Sequence, residues 1–562
     1  MRFMELISII KISRFNLNLF WILLNLIGLL LLAFNSAGLI KYPVTLISII
    51  LITFPIYLRL STRNSELSNE LYCMILVFLP LILYNYIFLI NYKLPVGLND
   101  THQHIVVYYT VFDSIGKLDF SNISTLSFNF VSLYMILKFL QESTFLSTID
   151  LALIIPPILN IIIIFMVYTI IRAIHSRSIA LLAAMMFGWD STVLIIGHDL
   201  RTQTIGTILI FAFVLLLVVI KYNNAKASFI IIEILILSGI VAASFTSFLY
   251  VLLLFFSILS VNFIFTNLRV PHDDEHIRIS YRLLILFIIL FFFYLLYIGV
   301  SIENIISSIK SLTYNFIYEF SSSNIANPNV GQTLFGNFVK FFTFTFWLIF
   351  LISYPFYLND SFKKKNYIGL TIILSFSTLL LFSFIMSIAG PLNPSRIYAV
   401  AFIIMPISIL YLANMILTKV TNKKLNTLII ILLFLLIVGF VSSSLAKNPS
   451  YIIGDARPIR YNATIDDVPY WDADLPQYGL NQFLENYANE QKILPYLLSK
   501  NYQFSILTNN RLYYDKANCS LILIRDKFYG RNYDGRFMLP YISSFNNFNT
   551  IYSSKDYLIF SR

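Results

Sequence analysis

The chain has 562 residues, of which 58% are hydrophobic and 12% are charged, and its mean hydropathy is +0.78. Soluble domains average about 25% charged residues, so this composition excludes a soluble multi-domain enzyme and a disordered chain. The formal charge of +11 would suggest a nucleic-acid partner in a soluble protein, but its distribution here reports membrane topology, and we expect no nucleic-acid partner.

The hydrophobic residues form uninterrupted runs of roughly 20 residues, the length at which a helix crosses a ~30 Å hydrocarbon core. Runs such as LLILFIILFFFYLLYIGV lack the alternation of membrane-barrel strands. We therefore predict an all-α polytopic membrane bundle with about thirteen transmembrane helices. The predicted spans are 17–38, 42–60, 71–91, 149–171, 178–196, 202–221, 228–245, 247–266, 283–300, 340–358, 367–388, 397–417 and 427–445.

Only the polar patch from Ser244 to Ser247 separates two of these spans, so one long kinked helix is the alternative. With thirteen spans and a cytoplasmic N-terminus, 18 Lys and Arg lie in inner segments and eight in outer segments before residue 446. Merging the two spans would move the triple lysine 363–365 outside, against the positive-inside rule. We predict a multi-pass protein of the cell membrane, with its N-terminus cytoplasmic and its C-terminal region extracytoplasmic.

The same pattern divides the chain into two domains. Residues 1–445 form the transmembrane domain, with long outer loops at 92–148 and 301–339. Residues 446–562 carry turn-forming residues, a helical pattern around 478–499 and β-rich runs such as SLILIR and DYLIFSR. We predict a small, soluble, extracytoplasmic C-terminal α/β domain.

The first outer loop opens with an acid and two histidines, in the sequence GLNDTHQH. On a helix that starts near Asp100, His104 lies one turn later on the same face, so the two residues could share a cation or a substrate phosphate. Asp100 is also a preferred N-cap residue for a helix over 101–115, and both interpretations stay open. Asp113 and Asp119, in the same loop, are interpreted as a solvated surface and a turn. A more apolar helix is predicted near 129–141.

A second polar group, formed by His198, Asp199 and Arg201, lies between the fifth and sixth spans on the predicted outer side. The planar fork of an arginine suits phosphate, although a charged group at a membrane boundary is often only an anchor. Arg396, before the twelfth span, is an anchor or a second phosphate contact. Asp190 falls inside or near the outer end of the fifth span. It is either a functional carboxylate within the membrane or a residue at the water boundary, and both interpretations stay open.

This arrangement resembles the GT-C glycosyltransferases, polytopic enzymes that use lipid-linked sugars. Asp100, His104 and Gly116 are similar to an Asp, His and glycine in the first outer loop of many prokaryotic members. Asp199 and Arg201 are similar to an acid and an arginine that lead into a later span of that family. The thirteen-span layout with an outer C-terminal domain is similar to that of archaeal and bacterial oligosaccharyltransferases.

Two departures disfavour specific subfamilies. The tail lacks the W-W-D-x-G motif of oligosaccharyltransferases, and Tyr470-Trp471-Asp472 matches it only weakly. The paired acids of protein mannosyltransferases are absent, because Asn99 precedes Asp100. The resemblance is therefore to a generic member.

The resemblance implies a glycosyltransferase of the hexosyltransferase type. It would move a sugar from a polyprenyl-phosphate or diphosphate donor to an unidentified acceptor at the extracytoplasmic face, with membrane lipid as its other partner. Asp100 would be the general base on the acceptor hydroxyl or, with Asp199, a ligand of Mg²⁺ or Mn²⁺ if the reaction depends on a metal; otherwise no cofactor is expected. Arg201 and Arg396 would compensate the phosphate leaving group, and His104, His198 and Asp199 would bind substrate.

A secondary transporter or flippase of lipid-linked saccharides is the alternative function. Transporters bind near the membrane midplane and show repeated halves with interrupted helices, a symmetry that this sequence lacks. A scaffold without catalysis is a third possibility. The cytoplasmic segment 271–276, PHDDEH, has metal-ligand residue types and is interpreted as a solvated loop with local ion pairs.

Overall fold

The computed structural model describes thirteen helices and four strands. The described residues are 23–24, 27–28, 50, 78–79, 81–82, 132–146, 148–196, 200–222, 227–267, 281–297, 334–389, 394–420, 422–447, 493–496, 521–525, 549–553 and 557–561. Several predicted segments therefore lie wholly or mostly outside the described residues. They are the first three predicted spans, the helix predicted around 478–499 and the segment 271–276. The two long outer loops are described only at 132–146 and 334–339.

The described helices stand in the following order along the chain. They are α1 (Ser132–Thr144), α2 (Thr148–Ile174), α3 (Arg177–Gly188), α4 (Ser191–Ile196), α5 (Thr202–Tyr222), α6 (Ala227–Ala243), α7 (Phe245–Asn267), α8 (Tyr281–Tyr297), α9 (Leu334–Lys363), α10 (Tyr367–Ala389), α11 (Pro394–Ala401), α12 (Ile404–Lys419) and α13 (Lys423–Lys447).

Four helical segments of the described chain are long and apolar enough to cross a membrane: Asp150–Ile174, Phe245–Asn267, Tyr367–Ile385 and Ile397–Lys419. Shorter apolar helices stand at five of the other spans predicted between residues 178 and 445, and the sixth, 340–358, falls within the 30-residue helix α9. The predicted span 178–196 is divided, because α3 ends at Gly188 and α4 begins at Ser191. The helix predicted near 129–141 corresponds to α1.

The residues of predicted spans seven and eight form two helices, α6 and α7. The number of membrane crossings stays a prediction. Ser244 stands between the two helices. Its hydroxyl is hydrogen-bonded to the hydroxyl of Thr246 at 2.6 Å and accepts a hydrogen bond from the backbone N–H of Ser247 at 3.5 Å. These contacts satisfy polar groups at the start of α7, as an N-cap does.

The bundle has two chemically different ends. At one end the turn between α2 and α3, the turn between α9 and α10, and the C-terminal half of α12 surround one pocket. We call this the basic end, because Arg172, Arg177, the triple lysine 363–365 and Lys419 lie there. At the opposite end, Leu200 packs in one cluster with residues from α1, the start of α2, the start of α5 and the end of α6.

Aromatic side chains fill much of the interior of the bundle. Phe248 of α7 stacks on Phe291 of α8, with ring centroids 3.7 Å apart and planes 8° from parallel. Phe402, in the turn between α11 and α12, stacks on Phe440 of α13 with ring centroids 5.6 Å apart. Large apolar residues such as Phe263 of α7 are instead exposed on the outer faces of the helices. In water such a surface would be unfavourable, whereas lipid tails match it.

The C-terminal tail contains a four-stranded sheet. The strands β1 (Ile493–Tyr496), β2 (Leu521–Arg525), β3 (Asn549–Ser553) and β4 (Tyr557–Ser561) are ordered β1-β2-β4-β3. β1 and β2 are parallel, whereas β2–β4 and β3–β4 are antiparallel. The β-rich runs SLILIR and DYLIFSR form β2 and β4, while the helical part of the predicted α/β domain stays a prediction.

Gly206 brings α5 into close contact with α7. A Cβ atom at position 206 would lie 2.6 Å from the Cβ of Ser247 and closer still to its Oγ. We expect Gly206→Ala to lower the stability of the purified protein by about 1–3 kcal/mol, the usual cost of overpacking. The measurement is the melting temperature in detergent.

Gly239→Ala is the matched control, because its nearest neighbour is the flexible end of Leu209 at 3.1 Å. This control should leave the melting temperature unchanged or raise it, since alanine favours a helix by about 1 kcal/mol over glycine. Adding Ser247→Gly to Gly206→Ala should restore stability. Equal melting temperatures for the two single variants would contradict the close contact.

Candidate functional site

The structure describes only part of the predicted site. Asp100 and His104 lie outside the described residues, as do His198 and Asp199, so their positions stay predictions. Arg201 is described. The described segments on either side of the His198-Asp199 pair in the sequence are α4 and the start of α5.

Asp190 occupies the break inside the predicted fifth span. The carboxylate is 3% exposed. Its Oδ1 accepts a hydrogen bond from the backbone N–H of Thr192 at 2.9 Å and another from the Thr192 hydroxyl. An aspartate that accepts from the second residue of a helix is an N-cap, and this one caps α4. The residue is buried inside the described bundle.

Neighbouring groups enclose this carboxylate. Trp189 is fully buried beside it. Gly188 allows the close packing, because a Cβ there would lie 2.6 Å from Leu81 and 2.9 Å from Ile164. Tyr398 of α11 is near enough for an electrostatic interaction with Asp190. The surroundings thus explain how a carboxylate is held away from water.

Arg201 stands directly before α5 at the opposite end. Its carbonyl accepts a hydrogen bond from the N–H of Thr204 at 3.0 Å, which starts the helix. The side chain is half-buried, and its Nε and Nη2 atoms are shielded from solvent. The preceding residue, Leu200, is fully buried and fixes the backbone next to Arg201. The guanidinium is therefore held at the N-terminus of a 21-residue helix.

A buried polar layer follows in the first turns of α5. Thr202, Gln203, Thr204 and Thr207 are each less than one-tenth exposed. The amide of Gln203 donates to the hydroxyl of Tyr250 in α7 at 3.4 Å, and the Thr207 hydroxyl donates to the Gln203 carbonyl at 2.9 Å. Buried polar groups need such partners. Our sequence analysis missed this layer, although the run TQTIGT at the start of an apolar span was a visible signal.

Arg396 belongs to α11, which packs against α4. α4 ends at Ile196, two residues before the predicted site residue His198 in the sequence. The pairing of Arg396 and Arg201 on one phosphate stays a prediction.

A divalent metal would require ligands that the structure does not describe. Both proposed ligands, Asp100 and Asp199, lie outside the described residues. Within the described ranges no group of three His, Cys, Asp or Glu side chains could hold an ion. The described cap, Asp190, already uses one oxygen for Thr192.

The described geometry at the opposite end suits an anion. The N-terminus of a helix carries a partial positive charge and unsatisfied N–H groups, so phosphates bind there readily. The Arg201 guanidinium adds a full charge and several donors at the same place. Shielding from water strengthens both effects.

We expect Asp190 to act as a helix cap. Asp190→Ala should lower the stability by about 1 kcal/mol, the usual cost of losing an N-cap, whereas Asp190→Asn should retain the cap and the melting temperature. The measurement is thermal unfolding of the purified variants in detergent. Equal destabilisation by Asn and Ala would show instead that the negative charge itself is required.

No protein-family model and no curated protein sequence matches this chain. Among solved structures, it is similar to the Archaeoglobus fulgidus oligosaccharyltransferase tethered to an acceptor peptide containing the NVT sequon, with a TM-score of 0.47 and 12% identity, over 82% of this chain and 70% of that chain. It is similar to AglB from the same organism, in complex with an inhibitory peptide and a dolichol-phosphate, with a TM-score of 0.45 and 12% identity, over 79% and 65% of the two chains. It is also similar to ArnT from Cupriavidus metallidurans bound to undecaprenyl phosphate, with a TM-score of 0.48 and 7% identity, over 87% and 97%. At such identities and scores, the likeness assigns neither a reaction nor a site residue to this chain.

Proposed function

We propose that this protein is a membrane glycosyltransferase that moves a sugar from a polyprenyl-phosphate or diphosphate donor to an acceptor at the extracytoplasmic face. The observation that carries the proposal is the position of Arg201. Its guanidinium stands at the N-terminus of α5, partly shielded from water, at the end of the bundle away from the basic turns. A phosphate at the membrane surface needs such a site.

The orientation follows from the distribution of charge. Cytoplasmic segments of membrane proteins are enriched in Lys and Arg, so the basic end faces the cytoplasm in our proposal. The opposite end, with Arg201, then faces outward. Sugar donors at that face are carried on lipids, because nucleotide sugars are made in the cytoplasm. A lipid-linked donor would keep its lipid between the helices and its phosphate at the surface.

The predicted residues divide the steps of the proposed reaction among them. Asp100 removes the proton from the acceptor hydroxyl as that oxygen attacks the anomeric carbon, and the bond from this carbon to the phosphate oxygen breaks. Negative charge then grows on the departing phosphate. Arg201 and Arg396 stabilise it, because fixed cations at the site of developing charge lower the barrier. His104, His198 and Asp199 contact the substrates.

The proposed domains divide this work. The transmembrane domain, 1–445, holds the lipid and the phosphate, and its outer loops 92–148 and 301–339 cover the reacting groups. Long loops on one side of a bundle are typical of functional segments. The tail, 446–562, is the extracytoplasmic domain and contributes to acceptor binding. If the reaction requires Mg²⁺ or Mn²⁺, Asp100 and Asp199 supply its carboxylate ligands, the type that these ions prefer.

We expect Asp100→Asn to reduce sugar transfer by about 10²-fold or more, since the amide cannot accept the acceptor proton. Transfer is measured in membranes supplied with a radiolabelled polyprenyl-phosphate sugar pool. Asp113→Asn is the matched control, because this acid of the same loop is interpreted as solvated surface, and it should retain transfer. Undiminished transfer by Asp100→Asn would overturn the catalytic role.

We expect Arg201→Gln to reduce transfer by about 10-fold to 10³-fold, because one fixed donor to a developing oxyanion contributes up to that range. Arg201→Lys should recover part of the loss, since lysine restores the charge without the planar fork. The readout is the same transfer reaction at saturating donor. Equal transfer by wild type and Arg201→Gln would contradict a phosphate contact at this position.

A further inference from the structure

A pocket of about 420 Å³ lies at the basic end, far from the proposed transfer site. Its walls are the turn between α2 and α3, the turn between α9 and α10, and the C-terminal half of α12. Polar and basic side chains line it: Arg172, His175, Ser176, Lys364, Asn366 and Asn414. Among the described residues that line it, none is acidic.

The two turns are tied together. The Asn366 side chain donates to the Ile174 carbonyl at 3.4 Å, while its Oδ1 accepts from the N–H of Gly369 at 3.0 Å and caps α10. Lys365 adopts a left-handed φ of 57°, and the N–H of Asn366 donates to the carbonyl of Ser361 at 2.9 Å. This geometry ends α9 sharply. The pocket is therefore built by fixed turns, and its shape is defined without a ligand.

His175 forms the uncharged part of the pocket. Its Nε2 is hydrogen-bonded to the hydroxyl of the fully buried Tyr357 at 2.7 Å, and its ring lies against Tyr357 and Tyr411 at centroid distances of 5.4 and 5.6 Å. Burial, followed by the nearby charge of Lys364, lowers the pKa of His175 to about 4. At neutral pH the imidazole therefore adds polarity but no charge.

Lys364 and Arg172 supply the positive charge. Lys364 forms an ion pair with Asp360 at 2.6 Å and donates to the Tyr411 hydroxyl at 2.9 Å. The hydrogen bond with Asp360 raises the pKa of Lys364, so the ammonium stays charged. Asp360 compensates one cation. Arg172 lines the same pocket, and Lys363 and Lys365 flank Lys364 in the sequence.

The pocket also faces the start of α3, a helix of 12 residues. Ser176 is its N-cap residue, with an extended ψ of 153°, and its side chain makes no capping hydrogen bond. The first backbone N–H groups of a helix need an acceptor. An anion beside Ser176 would supply one, and the helix dipole would favour its charge.

We propose that this pocket binds the phosphate of an anionic molecule, supplied by the headgroup of an anionic phospholipid in the surrounding leaflet. Arg172 and Lys364 neutralise the phosphate, and Ser176, Asn414 and the start of α3 donate hydrogen bonds to it. The pocket stands where the apolar spans end, at the level of lipid headgroups. Basic pockets between transmembrane helices hold anionic headgroups in this way, and the volume suits a small polar ligand.

The test measures lipid binding by the purified full-length protein with native mass spectrometry. Binding of the anionic lipid dioleoyl phosphatidylglycerol is compared with binding of the zwitterionic lipid dioleoyl phosphatidylcholine. Glycerol 1-phosphate is tested separately as a soluble phosphate without a lipid chain. We expect phosphatidylglycerol to bind more tightly than phosphatidylcholine. Arg172→Gln should weaken phosphatidylglycerol binding by about tenfold, the value of one charge-assisted hydrogen bond.

Lys363→Gln is the matched control, because it removes a charge from the same end but does not line the pocket. It should leave binding within twofold of wild type. Arg172 and Lys363 are both exposed, so neither variant should lose its fold, and the melting temperature verifies this. Binding of glycerol 1-phosphate alone, weakened by Arg172→Gln, would support the phosphate site and overturn the lipid as its source.

If Arg172→Gln and Lys363→Gln weakened phosphatidylglycerol binding equally, the proposed binding site would be overturned, since only a general attraction to the basic end would explain the result. Equal binding of the two lipids would also overturn it. These outcomes are independent of sugar transfer, so the failure of this proposal is distinguishable from the failure of the proposed enzyme.

Discussion

The hydrocarbon core of the membrane is the constraint on which the structure depends. A backbone polar group without a partner costs several kcal/mol in lipid, so the chain crosses as helices whose hydrogen bonds are internal. Polar side chains then concentrate at helix ends and breaks. Arg201 precedes α5, Ser244 separates α6 from α7, and Asn366 caps α10. In the part of the chain that the structure describes, polar groups of this kind lie at both ends of the bundle and at the break that Asp190 caps.

The two ends of the described bundle differ in their chemistry. At the basic end, Lys364 and Arg172 surround a pocket built from two tight turns. At the opposite end, Arg201 begins a helix whose first turns carry a hydrogen-bonded polar layer with Tyr250 of α7. Both ends suit phosphate. The proposed donor and the proposed lipid would thus bind the same protein from opposite leaflets, each beside a helix N-terminus.

Hydropathy predicted apolar helices between residues 149 and 445, because a long apolar run is a local signal, and four of the described helical segments are long enough to cross a membrane. It missed the break at Asp190, since a capped carboxylate inside a span depends on Thr192 and on the packing of Gly188 against α2. The contact between His175 and Tyr357 joins residues 182 positions apart, and no local pattern indicates it. Of the predicted site residues, only Arg201 has a described side chain, so the constellation around Asp100 rests on the sequence.

The orientation of the two ends is measured most directly by cysteine accessibility in intact cells. In a background with Cys73→Ser and Cys519→Ser, Lys364→Cys reports the basic end and Ser450→Cys reports the start of the tail. We expect a membrane-impermeant maleimide to label Ser450→Cys in intact cells and to label Lys364→Cys only after permeabilisation. Labelling of Lys364→Cys in intact cells, or labelling of both positions from the same side, would contradict the orientation on which the proposed extracytoplasmic transfer depends.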